Sequence, residues 1–445
     1  MQAAPRLERL RAYEGVIRDQ LQSLPSQNAV CRRCCRCVHG LPSACRTSVL
    51  HHRRGCQSAP DCRQGLGAAG FDAAAVIGAD LERSGAFRLI PTGAEGEPEN
   101  LEQPASLEAF AQLGANALVV GRVARLPDGR WELAYYLHNT VTGGRTDAAV
   151  FTTSGNDARM CAHRIADRIY MALTGEDPIF ASRLVYVAQL ARNRYELVVS
   201  DSDGANPQAA LQSHEPIISP VWSPDGRKIA YVSFEERKPI IYIQEPATGA
   251  RHAICAFRGN NSAPAFSADG DMLAVALSRD GLTQIYLMNA NGTGLRRFTK
   301  SYGIDTEPCF SRDKQWVYFT SDRGGAPQIY RQPLSGGPAE RVTFGSSYAI
   351  SPAISSDGRY LSYISRIDGR FRTAVMDLTT GQNTLVTTTD RDESPSFAPN
   401  GRFLVYATEV NGRGVLGTAS IDGRLSTRLT GLGDIREPNW GPILP

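Results

Sequence analysis

No apolar run in these 445 residues is long enough to span a bilayer, so the sequence predicts a soluble globular product. A secretory signal is also missing: six charges interrupt the apolar residues between Leu7 and Leu24. There is no GxSxG nucleophile elbow, no HExxH zinc motif and no glycine-rich phosphate loop. Histidine is scarce, and His138, His163, His214 and His252 fall in unrelated segments. Those absences leave little basis for hydrolase, metallopeptidase or nucleotide chemistry.

Charge and cysteine are lopsided. Residues 1–62 carry ten Arg, no Lys and four acids, a net of +6, while the whole chain is only +3. The remainder is therefore slightly acidic, which removes the electrostatic case for nucleic acid. Seven of the ten cysteines lie between Cys31 and Cys62, yet their spacing repeats no paired CxxC ligand pattern. Residues 1–64 are read as an atypical Arg/Cys-rich segment, unstructured or wrongly framed, apart from a helical stripe of Leu7, Leu10, Tyr13, Ile17, Leu21 and Leu24.

What the chain does have is a repeat. PVWSPDG, PAFSADG, PCFSRDK, PAISSDG and PSFAPNG begin at Pro220, Pro264, Pro308, Pro352 and Pro395, and a truncated PNWGP begins at Pro438. The period is 43–44 residues, and four short strands are visible in each copy, with Asp-Gly or Asn-Gly turns between them. Five copies are complete; residues 183–213 hold three strands and PNW one more. These predict a six-bladed β-propeller over 179–445, its ring closed by the C-terminal strand. Residues 65–178 mix helices and strands and predict an α/β domain. Its expected elements include a helix ended at Ser84-Gly85, a short strand FRLI, a helix capped by Ser106, three further strands and a long helix ended by Gly175.

Most repeated residues read as structural. Trp222, Phe266, Phe310, Ile354, Phe397 and Trp440 suit packing between blades better than ligand stacking. Asp225, Asp269, Asp313, Asp357 and Asn400 suit hairpin turns better than a metal ring. The residues just ahead of each proline differ from copy to copy. If that proline opens the innermost strand, they ring one mouth of the channel, and Asp305, Glu307, Asp392, Glu393 and Glu437 make it acidic, a docking face for a basic partner surface or a cation.

IGADLERSGAF, ALVVGRV and YYLHNTVTG, followed by SPVWSPDGRKIAYVSFE, NSAPAFSADG, DTEPCFS and SPSFAPNG, closely resemble the TolB family from about residue 71 to the C-terminus. The resemblance implies a non-catalytic periplasmic scaffold of the Tol-Pal envelope system. In that family the propeller mouth binds the lipoprotein Pal, and an extended N-terminal segment contacts TolA. The system supports outer-membrane integrity and cell division. It also implies a monomer, peripheral to the outer membrane through Pal, with no cofactor; a cation has been associated with the family's channel, but no residue here locates it. By motif match, the Pal-binding positions fall on Asn260, Ala263, Thr306 and Glu307, although a family member has His where this chain has Asn260. Glu393 and Glu437 join them as mouth residues. Residues 1–64 show no signal peptide, no TolA-contacting segment and no first strand of the α/β domain. The alternative reading is a propeller that gates a peptidase-type enzyme.

Overall fold

Each 43–44-residue repeat folds as a four-stranded antiparallel sheet in a computed structural model that describes residues 47–51, 72–90, 107–429, 431 and 433–444. The helical stripe at 7–24, the cysteine cluster and the Ser106 cap lie outside those residues.

Five blades are contiguous in sequence, with inner strands at Ile217–Trp222, Asn261–Phe266, Asp305–Phe310, Ala349–Ile354 and Glu393–Phe397. In blade 6 the C-terminal strand Asp434–Ile443 is innermost, paired antiparallel to Ser182–Ala191, with Arg194–Asp201 and Gln208–Ser213 outside it. Each inner strand touches the next, and that of blade 6 touches that of blade 1, so the ring is closed. Both neighbours hold the closing strand. Asn439 accepts from the Trp222 N–H of blade 1 at 2.9 Å and donates to Ser396 Oγ of blade 5 at 3.1 Å, while Trp440 Nε1 donates to Ser182 Oγ at 2.8 Å.

The repeated aromatics pack as the sequence implies. Trp222 joins Val185, Val187 and Leu197 of blade 6, and Phe310 joins Ala274, Ile285 and Phe298 of blade 2. The repeated Asp residues serve turns: Asp225, Asp269, Asp313 and Asp357 each accept a serine hydroxyl at 2.5 Å and a backbone N–H two residues on.

The repeated proline does not open the inner strand. Pro220, Pro264, Pro308 and Pro352 each stand fourth in theirs, at a β-bulge where the ladder slips by one residue. The residue ahead of it has left-handed backbone in all six blades: Ser219, Ala263, Glu307, Ser351, Ser394 and Glu437 have φ between 48° and 55°. A bulge leaves a residue without a ladder partner, so a proline lacking an N–H is tolerated inside the strand there.

In the α/β domain, β1 (Thr47–His51), α1 (Ala73–Arg83), β2 (Phe87–Ile90), α2 (Leu107–Gln112), β3 (Ala117–Arg125), β4 (Trp131–Asn139), β5 (Arg145–Thr153) and α3 (Ala158–Thr174) follow in order. The sheet order is β2-β1-β3-β4-β5, with β1 parallel to both neighbours. β1 corrects the expectation that this sheet lacks its first strand: TSVLH is too short to show alternation amid the surrounding Arg and Cys. α1 buries Val76, Ile77, Asp80 and Leu81 on one face at three- and four-residue spacing, the apolar three packing with Ile165 and Ile169 of α3.

This domain sits at the hairpin-turn end of the ring. Arg159 of α3 donates from Nε to Asp201 at 2.9 Å and also pairs with Asp203, at the turn leading to the outermost strand of blade 6. The left-handed Gly85, at a φ of 70°, leaves room for Leu425 of a blade 5 turn; a Cβ there would meet Leu425 Cδ1 at 2.2 Å. His163 is fully buried between the domains, its Nδ1 2.5 Å from Asp80 and its Nε2 3.8 Å from Asp201. Burial alone would lower its pKa, but Asp80, Asp201 and Asp203 outweigh it and raise it to about 9.

Two measurements probe these contacts. Trp440→Ala should lower stability in denaturant unfolding by about 3–5 kcal/mol, and Trp440→Phe, which keeps an aromatic ring but loses the bond to Ser182 and part of the indole's packing, by about 1–2 kcal/mol; equal losses would contradict the closure geometry. The folded chain holds the His163 proton up to about pH 9, whereas the unfolded chain releases it near the ordinary 6.5. That stabilisation, on the order of 3 kcal/mol, is complete below about pH 6.5 and lost as pH rises through about 9. The stability gap between the wild-type chain and His163→Gln should therefore shrink over that window; a constant gap would mean that the charge contributes nothing.

Candidate functional site

At the end of the ring opposite these contacts, the loops entering the inner strands meet the loops between second and third strands. Hydrogen bonds tie them into one rim. Asn260 N–H donates to Ser278 Oγ at 2.7 Å. Gln284 donates to Gly303 O at 2.8 Å and accepts from the Ser301 N–H at 2.9 Å, joining blade 2 to the entry loop of blade 3. Asp322 accepts from the Ile304 N–H at 2.7 Å, and Gln328 repeats the pattern by donating to Ser346 O at 3.0 Å. The rim is thus continuous over blades 2 to 4.

Three residues ahead of each proline the side chain points inward. Ile217, Asn261, Asp305, Ala349, Asp392 and Ile435 are all buried. This corrects the reading of an acidic mouth. Asp305 is completely buried, clamped by both oxygens to Arg323 Nη2 at 2.8 Å, with Ser301 and Ser321 hydroxyls donating. Asp392 is held by the hydroxyls of Thr373, Thr387 and Thr389. An unpaired buried carboxylate would be costly, and the fold supplies each with partners.

Of the sequence-derived residues, Asn260, Ala263, Thr306 and Glu307 lie on blades 2 and 3, whose inner strands touch. All four are half-buried. Asn260 donates from Nδ2 to Ser262 Oγ at 2.6 Å, an internal contact. Glu307 points across to the next blade: its carboxylate accepts from Thr320 Oγ1 at 2.6 Å and from the Ser351 N–H and Oγ at 2.9 and 2.8 Å. Ser351 is the equivalent residue one blade on. Glu437 makes the same bond to the equivalent Ser219 N–H, so blade 6 is stapled to blade 1 as blade 3 is to blade 4.

Glu393 and Glu437, on blades 5 and 6, form a separate group, with blade 4 between them and Glu307. Glu393 faces Arg436 at 3.6 Å, and burial pushes its carboxyl above the ordinary range despite that arginine. Reading the sequence missed Arg323 and Arg436, the cations that balance the mouth acids. Each lies outside the repeated motif, and charge alone does not mark a partner.

A second cluster brings His163, Asp201 and Asp203 within 4.8 Å of one another at the domain junction. Arg159 bonds both aspartates there and supplies the positive charge. No helix among the described residues is long and apolar enough to cross a membrane.

Family models match both parts of the chain: the TolB amino-terminal domain over residues 60–146 and the TolB beta propeller domain over 170–444. The chain is 51% identical over 372 residues to the Tol-Pal system protein TolB of Bordetella pertussis, covering 83% of this chain and 84% of that one. To the Tol-Pal system protein TolB of Dechloromonas aromatica it is 52% identical over 369 residues, covering 83% and 86%. The crystal structure of TolB from Acinetobacter baumannii superposes with a TM-score of 0.79 at 34% identity, covering 90% of this chain and 98% of that one. With both domains matched in order and half its residues shared across most of its length, this chain belongs to the TolB family, a non-catalytic component of the Tol-Pal envelope system.

Proposed function

We propose that this chain is a periplasmic scaffold that docks the lipoprotein Pal at the propeller mouth and links it to TolA, in support of outer-membrane integrity and cell division. The observation that carries the reading is the juxtaposition of Asn260, Ala263, Thr306 and Glu307 on touching inner strands, at the end of the ring that the α/β domain leaves open. Asn260 is bonded to Ser262 and Glu307 is held by its staple, so this part of the face is stiff before a partner arrives and little ordering cost falls on binding. Glu393 and Glu437 flank the mouth on blades 5 and 6 and complete the proposed contact set. No segment that would contact TolA is identified in the sequence, and residues 1–46 lie outside the described residues. With a non-catalytic family shown, a peptidase-gating role has no observation behind it.

Binding of lipid-free Pal to the full chain, measured by calorimetry, tests the site. Thr306→Arg takes no part in the Glu307 staple and should weaken Pal by about tenfold or more at an unchanged melting temperature. Glu307→Lys should weaken binding and lower the melting temperature, because a cation then faces the Ser351 N–H. Unaltered affinity in both variants would sink the assignment.

A further inference from the structure

The propeller's exposed large apolar side chains are not scattered. Tyr302 is fully exposed, Phe344 is 65% and Leu282 50% exposed, and all three ride on the rim of blades 2 to 4; Leu385, on an outer strand of blade 4, is the other among the described residues. Leu282 precedes Thr283, whose carbonyl accepts from the Asp305 N–H at 2.9 Å, and Tyr302 lies between Ser301 and Gly303, both bonded to Gln284. Phe344 follows Thr343, whose hydroxyl donates to Gln328 at 2.8 Å. The backbone beneath these side chains is therefore fixed, while their apolar surface faces water. Apolar residues gathered on one face mark a contact surface, whereas single ones do not.

The polar groups around them are unevenly committed. Of the acids on this stretch, only Asp368, between the second and third strands of blade 4, is exposed without an ion pair or side-chain hydrogen bond among the described residues. Asp280 accepts from Tyr286 at 2.6 Å and lies 3.4 Å from Arg279; Asp305 holds Arg323; Asp322 caps Ile304; Glu307 caps Ser351. Arg279, Arg323 and Arg341 are engaged too, Arg341 donating from Nε to Thr343 O at 2.7 Å and lying over the Phe344 ring, 5.0 Å from its centroid. Arg258 and Lys300, on the entry loops of blades 2 and 3, are exposed and make no ion pair or side-chain hydrogen bond among the described residues. Two uncommitted cations on the entry loops of blades 2 and 3, against one free acid on blade 4, match a partner that brings carboxylates.

We infer that the rim of blades 2 to 4 is a docking surface for an acidic protein face, with Tyr302, Phe344 and Leu282 as apolar anchors and Arg258 and Lys300 as its charge contacts. The inference rests on the docking reading above and reverses the charge first read for the mouth's partner. It places the binding energy on the outer rim, beyond the residues next to the prolines.

The test uses the full chain and lipid-free Pal as the probe. Tyr302→Ser and Phe344→Ser should each weaken binding by about tenfold or more, at unchanged melting temperature since both are exposed. Arg258→Glu with Lys300→Glu should slow association and flatten its dependence on salt, while Leu385→Ser should bind as the parent chain does. If Thr306→Arg loses binding while the rim variants keep the parent affinity, docking at the mouth stands and this inference falls. If the parent chain does not bind Pal, both fall.

Discussion

The residue ahead of each repeated proline is held in left-handed backbone, which costs a side chain about 1–2 kcal/mol relative to ordinary strand. It recurs in all six blades, so the ring carries the cost six times, and the surrounding contacts must over-determine it. The bulge turns the inner strand partway along, and so lets the side chain ahead of the proline reach the neighbouring blade. In blades 3 and 6 that side chain is a glutamate, and its carboxylate caps the backbone N–H of the equivalent residue in the next blade. Regularity and inequality come from one device: the backbone is the same six times, and the side chain it aims is not.

Two ends follow from that device. The hairpin turns with their Ser-Asp bonds form one end, and the α/β domain is clasped there through Arg159, His163 and the left-handed Gly85. The entry loops form the other, where buried Asp305, Asp392 and Asn261 bind backbone and side chains of the loops around them. Polar residues at an inward position look like a packing defect until their partners are counted. In blades 2, 3 and 5 they replace the aliphatic residues of blades 1, 4 and 6, and each stiffens an entry loop that an aliphatic side chain would leave to itself.

The blade count, the ring closure and the roles of the repeated aromatic and Asp residues were legible because they rest on local chemistry: a period, a turn dipeptide, an apolar alternation. The proline misled about where its strand begins, since a strand interrupted by a bulge has no sequence mark other than the proline itself. Thr47–His51 was hidden for a related reason, as five residues cannot show a period and the strand's partners are distant in sequence. The acidic mouth was read correctly as a run of acids and wrongly as a charged surface. Asp305 opens its strand and Arg323 lies eighteen residues on, just past the end of the neighbouring strand, and only the sheet pairing of Asp305 with Ser321 brings them together.

That misreading bears on what a mouth residue can do. A carboxylate that already holds three donors has used most of its acceptor capacity, so its presence in a binding loop is evidence about the loop's stiffness more than about its partner's charge. Glu307 fixes Ser351 and Thr320, and through them the blade 3–blade 4 seam, and under the proposed docking it would act on a partner chiefly through that stiffness. Among the groups that remain free to meet another molecule are exposed rings on loops pinned by Gln284 and Gln328, Lys300 beside one of them, and Arg258 on a loop that Asn261 pins. Rigid loops carrying uncommitted side chains are what a scaffold needs, because the entropy of ordering the surface has been met during folding and does not oppose association.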